Sequence, residues 1–208
     1  NNAARVRILG AILKKSILDY DEVTKGLKIA KPTLTWLEKN GIIKIESKQI
    51  YRNPIDKQAV SYNPVILNDE QEYIVENILR DYHKGNRYTY LIHGITGSGK
   101  TEVYMEIISE VVASGKQAIV LIPEIALTYQ TVNRFYSRFG DRISILNSRM
   151  SYGERYDQSL RAKNGEIDIM IGPRSALFTP FQNLGLIIVD EEHEGSYKSE
   201  FTPKYHAV

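Results

Sequence analysis

The 208-residue chain contains no cysteine, so disulfides and thiolate metal sites are both excluded. That absence suits a reducing, cytosolic setting. No apolar run approaches the ~20 residues that a membrane-crossing helix needs, and no segment reads as a secretory leader. Internal repeats and low-complexity tracts are missing too. The chain opens on Asn1-Asn2-Ala3 instead of Met and stops at His206-Ala207-Val208 without a terminating signal, and it reads as a piece of something longer. What is present is ordinary for a globular protein with a real core: 42% apolar and 25% charged residues, enough for one large domain or two small ones.

A net charge of +2 conceals an asymmetry. Residues 1–60 carry 12 Lys and Arg against 6 Asp and Glu, whereas residues 61–208 carry 15 against 19. A basic module joined to a mildly acidic one fits a small module that touches nucleic acid. The same charge also fits an ordinary solvated basic face. Within this module, Ala4–Lys15 predicts a helix with Val6, Ile8, Leu9, Ile12 and Leu13 as its apolar stripe. Asp21–Leu27 predicts a short second helix whose acidic start suits its dipole. Lys31–Gly41 predicts a third, with Pro32 in the first turn and Asn40-Gly41 as the stop. Ile42–Ile45 and Gln49–Tyr51, around Glu46-Ser47-Lys48, read as a β-hairpin.

Three helices followed by a hairpin are the plan of a winged helix, a helix-turn-helix variant. Its third helix is the reader, exposing Lys31, Thr33, Thr35 and Lys39 toward DNA while Leu34 and Leu37 pack inward. Trp36 fits either core or surface. Such a module can instead mediate protein contacts or space domains. Pro54, Tyr62, Asn63 and Pro64 punctuate a linker, which puts a winged-helix domain at 1–60, a linker to about 66 and a second domain at 67–208.

The second domain carries the chemistry. Gly94-Ile95-Thr96-Gly97-Ser98-Gly99-Lys100-Thr101 fits G-x-x-x-x-G-K-[ST], the phosphate-cradling P-loop. With glycine at its usual ~7%, a chance match in a chain of this length is about one in a hundred. Tyr88–His93 reads as a strand before the loop, and Thr101–Ser114 as a helix after it, the context the motif requires. Glycines let backbone amides face an anion without Cβ clashes. Lys100 is expected on the β- and γ-phosphates and the Thr101 hydroxyl on Mg²⁺.

Farther on, Leu186-Ile187-Ile188-Val189 runs into Asp190-Glu191-Glu192-His193. Four apolar β-formers ending in acids predict a strand buried on both faces, delivering carboxylates to the carboxyl edge of a parallel sheet, where ligands of open α/β sheets bind. Asp190 is expected to hold Mg²⁺ and Glu191 to orient and deprotonate the attacking water. Between the two motifs, strands at Gln117–Ile122, Ile143–Leu146 and Asp168–Ile171 alternate with helices at Thr128–Phe139 and Ser151–Asn164. That alternation predicts a parallel α/β sheet with helices on both faces. The chain therefore reads as a nucleoside-triphosphate binder, and the lack of an Asn-Lys-x-Asp element argues against a guanine reader.

Several segments resemble superfamily 2 helicases. Gly94–Thr101 looks like their motif I, Asp190–His193 like a DExH box, and Leu67-Asn68-Asp69-Glu70-Gln71 like the glutamine element that holds adenine, through Gln71. Three further stretches are similar to the primosomal protein N′ (PriA) family: Leu121–Thr128 to its motif Ia, Gly172–Pro180 to its Gly-x-Arg-Ser-Ala-x-Phe segment, and Asp190–Ala207 to its DExH box and aromatic-rich loop. The basic winged helix upstream matches the family's domain order. Asn147-Ser148, Tyr129 and Pro173 depart from the His-Ser, Pro and Thr expected there.

The resemblance implies a RecA-like first helicase lobe, with Gly94, Thr96, Gly97, Ser98, Gly99, Lys100 and Thr101 around ATP, and Lys100, Asp190, Glu191 and His193 in catalysis. It implies an ATP- and Mg²⁺-dependent 3′ to 5′ DNA helicase of replication restart in the bacterial cytoplasm, associated with the nucleoid. Forked and single-stranded DNA, primosome and helicase-loading proteins and single-stranded-DNA-binding protein are its implied partners, and the chain is expected to be a monomer. Zinc is expected in the parent protein but not in this stretch, and the second lobe with its arginine fingers is expected elsewhere, leaving this piece nearly inactive. Arg174, Tyr197, Lys198, Phe201, Lys204 and Tyr205 are the expected DNA contacts of this domain, aromatics and cations interleaved as stacking faces and phosphate charges. The same aromatics also fit a core beneath a loop. A different function fits the motifs as well, a winged-helix DNA-binding protein with an ATP-controlled switch and no unwinding.

Overall fold

The computed structural model describes residues 2–45, 65–199, 202 and 204–208. The chain divides into two compact units, Asn1–Ile50 and Tyr51–Val208. Among the described residues no helix is long and apolar enough to cross a membrane.

The first unit is a small helical cluster. Helix α1 (Asn2–Lys14), a π-helical turn (Glu22–Gly26) and helix α2 (Lys31–Lys39) enclose Ala4, Ile8, Val23, Ile29, Leu34 and Leu37. Pro32 occupies the first turn of α2. The helix ends as its sequence dictates: Gly41 adopts φ +68°, and the amides of Gly41 and Ile42 return to the carbonyls of Glu38 and Leu37. The expected stripe on α1 is only partly core, since Val6 and Leu13 face solvent. Trp36 is a surface residue, with the Arg5 guanidinium stacked 3.5 Å over its ring. Ile42–Ile45, expected as the first arm of a hairpin, form no strand, and the second arm with the linker residues up to Pro64 lies outside the described residues.

The second unit is a four-stranded, wholly parallel sheet in the order β2-β3-β1-β4. Its strands are β1 (Gln117–Leu121), β2 (Ile143–Ile145), β3 (Ile169–Gly172) and β4 (Leu184–Val189). Its helices are α3 (Asp69–His83), α4 (Lys100–Ala113), α5 (Tyr129–Phe139) and α6 (Tyr152–Lys163). Thr128 and Ser151 cap α5 and α6 from positions the sequence places just ahead of them.

Period-two alternation along β1 splits the core. Ala118, Val120 and Ile122 pack with Tyr104, Met105 and Ile108 of α4 and with Val132 and Phe135 of α5. Ile119 and Leu121 point to the opposite face, against Ala162 of α6, Ala176 and Tyr197. Helices thus cover both faces, as the strand–helix alternation predicts. Helix α3 adds to that reading and packs Val75 on Val103, Ile107 and Val111 of α4. Helices α4 and α5 are further joined by two ion pairs one turn apart, Arg134 with Glu102 and Arg138 with Glu106.

Two expectations fail. Tyr88–His93 is not a strand: Tyr88, Tyr90 and Leu91 are exposed, and only Ile92 packs inward on α3 and α4. Strand-forming residues need a ladder partner within ~4.8 Å, and among the described residues this run has none. Nor is β4 buried on both faces. Among the described residues it is an edge strand paired only with β1, and Ile187 is 44% exposed.

Candidate nucleotide site

The glycine loop leads into α4, and the sequence explains its shape. Gly97 and Gly99 sit at φ +81° and +84°, conformations that cost an L-residue about 1–2 kcal/mol. Gly99 is the N-cap of α4, which has no side-chain cap, so the helix start presents amide groups and its positive end to an anion. The Lys100 ammonium donates to Gly94 O at 2.6 Å and Ile95 O at 3.1 Å, closing the loop over itself. A Cβ on Gly94 would lie 2.6 Å from Ser98 Oγ, so the serine side chain would have to turn aside.

Gln71 bridges α3 to this loop. It completes a capping box with Asn68, and its Nε2 donates to Ser98 O at 2.9 Å. Thr96 and Ser98 lie on the exposed crest of the loop.

Thr101, Asp190 and Glu191 line one cavity of about 740 Å³, together with Tyr104, Tyr129 and Arg134. The parallel sheet brings them together: α4 starts above the carboxyl edge, and β4 ends there. Asp190 is held from several directions. Its Oδ2 accepts from the Tyr104 hydroxyl at 3.1 Å and its Oδ1 from Glu191 N at 3.1 Å, while its carbonyl accepts from the Tyr197 hydroxyl at 2.5 Å. Burial pushes the Asp190 carboxyl above the usual carboxylate range, and the negative charge of Glu191 adds to the shift, while the Tyr104 hydrogen bond opposes it. Burial likewise pushes both phenols up, with Asp190 adding to each.

Glu191 stands at φ +51°, a left-handed conformation that costs on the order of 1–3 kcal/mol and concentrates at functional sites. His193 Nε2 lies 3.5 Å from Glu191 Oε2, both exposed. The oxygen donors Thr101 and Asp190 suit a hard cation such as Mg²⁺. Among the described residues no three His, Cys, Asp or Glu converge as a protein-only cage.

The expected DNA contacts fare differently. Tyr197 cannot offer a stacking face: it is 1% exposed and plugs the sheet face opposite α4, its hydroxyl donating to Leu121 O at 3.0 Å as well as to Asp190 O. The alternative of core aromatics holds for this residue. Arg174 Nη1 is engaged by the carbonyls of Ser196, at 2.9 Å, and Lys198, at 2.5 Å, so it braces the segment after the acids. Lys198 and Lys204 are exposed, Tyr205 lies edge-on to Phe178 at 5.1 Å, and Phe201 is outside the described residues. In the first unit, Lys31, Thr35 and Lys39 are exposed on α2 and Thr33 is half-buried.

Sequence reasoning missed Tyr104, although its place three residues past Thr101 puts both on one helix face. It also missed Glu124, whose carboxylate accepts from Ser148 N at 2.8 Å and joins the loop after β1 to the loop after β2. Hydrogen bonds from Ser148 hold that carboxyl below its usual range.

Residues 64–208 match the family described as type III restriction enzyme, res subunit. Over 187 residues, 89% of the chain, it is 44% identical to the replication restart protein PriA of Bacillus subtilis, of which it spans 23%. It is 41% identical over 208 residues to that of Chlamydia pneumoniae, covering 95% of the chain and 27% of the relative. With the protein of the same description from Haemophilus influenzae the figures are 44% over 171 residues, 78% of the chain and 23% of the relative. The chain thus spans about a quarter of the length of these relatives. With its glycine loop and acid-tipped edge strand in one parallel sheet, the chain belongs to the family described as type III restriction enzyme, res subunit, and is a relative of the replication restart proteins PriA that carries the first helicase lobe.

Proposed function

We propose that the chain is the ATP-binding half of a DNA helicase of replication restart, one that moves 3′ to 5′ and acts on stalled forks with primosome and single-strand-binding partners. The observation that carries the reading is the convergence of Thr101, Asp190 and Glu191 on one cavity beside the glycine loop. Lys100 and the α4 amides bind the β- and γ-phosphates, while Gln71 reaches the adenine from α3. Thr101 and Asp190 hold Mg²⁺, which when bound offsets negative charge on the phosphate oxygens. Glu191 orients a water and accepts its proton as the water oxygen bonds to the γ-phosphorus and the bridge to the β-phosphate breaks. His193, within reach of Glu191, keeps that carboxylate aimed.

The first unit contributes DNA contact as a winged helix at residues 1–60, through Lys31, Thr33, Thr35 and Lys39 of α2. On the second unit, residues 67–208, Lys198, Lys204, Phe201 and Tyr205 contact DNA in their own right. Arginine fingers come from a second lobe, so this chain alone turns over slowly, in the cytoplasm of a bacterium.

The test is nucleotide binding and hydrolysis by the chain, with and without forked DNA, beside a Lys100→Ala control. Lys100-dependent binding with negligible turnover is expected. DNA-stimulated turnover at the rate of a complete helicase would overturn the half-site reading and favour the switch without unwinding.

A further inference from the structure

Resting on the nucleotide-binding reading above, we propose that Tyr104 is a positioning residue of the site, fixing the Asp190 carboxylate in the orientation that a divalent cation needs. Tyr104 lies on α4, one turn past Thr101, with 4% of its surface exposed. Its ring is stacked on Phe135 at 6.2 Å and 19°, among Met105, Ile108 and Val132. Every one of these neighbours is apolar, so phenylalanine would fill the same space. The hydroxyl is the polar exception, and a buried phenol needs a partner. It donates to Asp190 Oδ2 and shares a hydrogen bond with the Thr101 side chain.

A carboxylate at the tip of a strand rotates over a broad well about its last torsion. Here the rotation is stopped. Tyr104 holds one oxygen and the Glu191 amide the other, while Tyr197 holds the same residue's carbonyl from the opposite face of the sheet. Two buried tyrosines, one from the helix that begins with Lys100 and one from the segment after the acids, thus bracket Asp190. Mg²⁺ demands near-ideal octahedral geometry and tolerates little ligand drift. Hydrogen bonds that orient a metal ligand change metal affinity about 10–100-fold when removed.

The experiment titrates Mg²⁺ into the chain with a fluorescent ATP analogue, for the parent sequence and Tyr104→Phe, with a parallel arm in EDTA. For Tyr104→Phe the Mg²⁺ concentration at half effect should rise about 10-fold, with nucleotide affinity in EDTA and thermal melting unchanged. In an Asp190→Asn background the same substitution should add nothing. A half-effect within twofold of the parent, or an equal loss in both arms, would overturn the proposal and leave Tyr104 as packing. If the parent chain shows no Lys100-dependent nucleotide binding, it is the nucleotide reading that fails, and this inference falls with it.

Discussion

Replacing Gly99 by alanine tests how the glycine loop is held. A Cβ there meets two separate obstacles. The backbone sits at φ +84°, which costs an L-residue about 1–2 kcal/mol. The new methyl would also lie 2.3 Å from Gln71 Nε2. That amide can swing away, but doing so forfeits its bond to Ser98 O and disturbs its bond to Asn68 N. Exposed hydrogen bonds sit at the low end of the usual range, about 0.5 kcal/mol each, so the second obstacle adds roughly 1 kcal/mol. Gly99→Ala should therefore destabilise the fold by about 2–3 kcal/mol, which for a chain of this size lowers the melting temperature by about 4–12 °C. Removing the obstructing amide first separates the two causes. In a Gln71→Ala background the Gly99→Ala penalty should shrink to about 1–2 kcal/mol, a coupling of about 1 kcal/mol read by a double-mutant cycle in thermal or denaturant unfolding. An identical penalty in both backgrounds would show that Gln71 does not clamp the loop, and the account of α3 as its brace would fail.

Glu191→Gly relieves a left-handed backbone worth about 1–2 kcal/mol against an entropic loss of about 0.5–1, so melting should stay level or rise by a few degrees, while any Lys100-dependent ATP hydrolysis is lost if the proposed function holds. Because burial raises the folded-state pKa of Asp190 above its unfolded value, its contribution is present at acid pH and lost as pH rises through the folded value. Asp190→Asn should consequently raise the melting temperature at pH 7, with the gain disappearing below about pH 4, as a pH series of melts would read. Arg174→Ala removes a charged donor from two carbonyls, and a loss of about 1.5–3 kcal/mol, near the low end for a half-exposed group, should appear as faster amide exchange in residues 195–199.

The glycine loop, its helix and the acid tip of β4 were legible because their chemistry is local: a fixed spacing of residue types that a short segment can satisfy alone. The parallel sheet and its two covered faces followed from the alternation of apolar strand segments with helices, whereas the strand order did not. What sequence hid was tertiary. Tyr197 carries the same side chain whether it stacks on a base or plugs a sheet, and only the carbonyls of Leu121 and Asp190 opposite it decide. Arg174 shows the same limit, since its place in a family-like segment marks it as a DNA contact until its guanidinium is found bonded to Ser196 and Lys198. Tyr88–His93 has strand propensity without a ladder, so its pattern overstated its structure. Ile187 misled in the opposite direction, because an apolar run cannot announce that it lies at an edge.

The strand order also sets a timetable for synthesis. β1 is the central strand, yet its neighbours β3 and β4 begin 48 and 63 residues after Leu121. At roughly 5–20 residues per second, the ribosome needs about 3–13 s between completing β1 and starting β4. Until β3 is made, β1 has no ladder partner on either side, and until β4 is made it has none on its β4 side. The acids arrive last, and Tyr197, which secures Asp190, emerges later still. Chaperone dependence should therefore concentrate in the window when residues 117–184 are being made, and a translation pause placed there would expose the nascent chain to aggregation more than one placed after Tyr197.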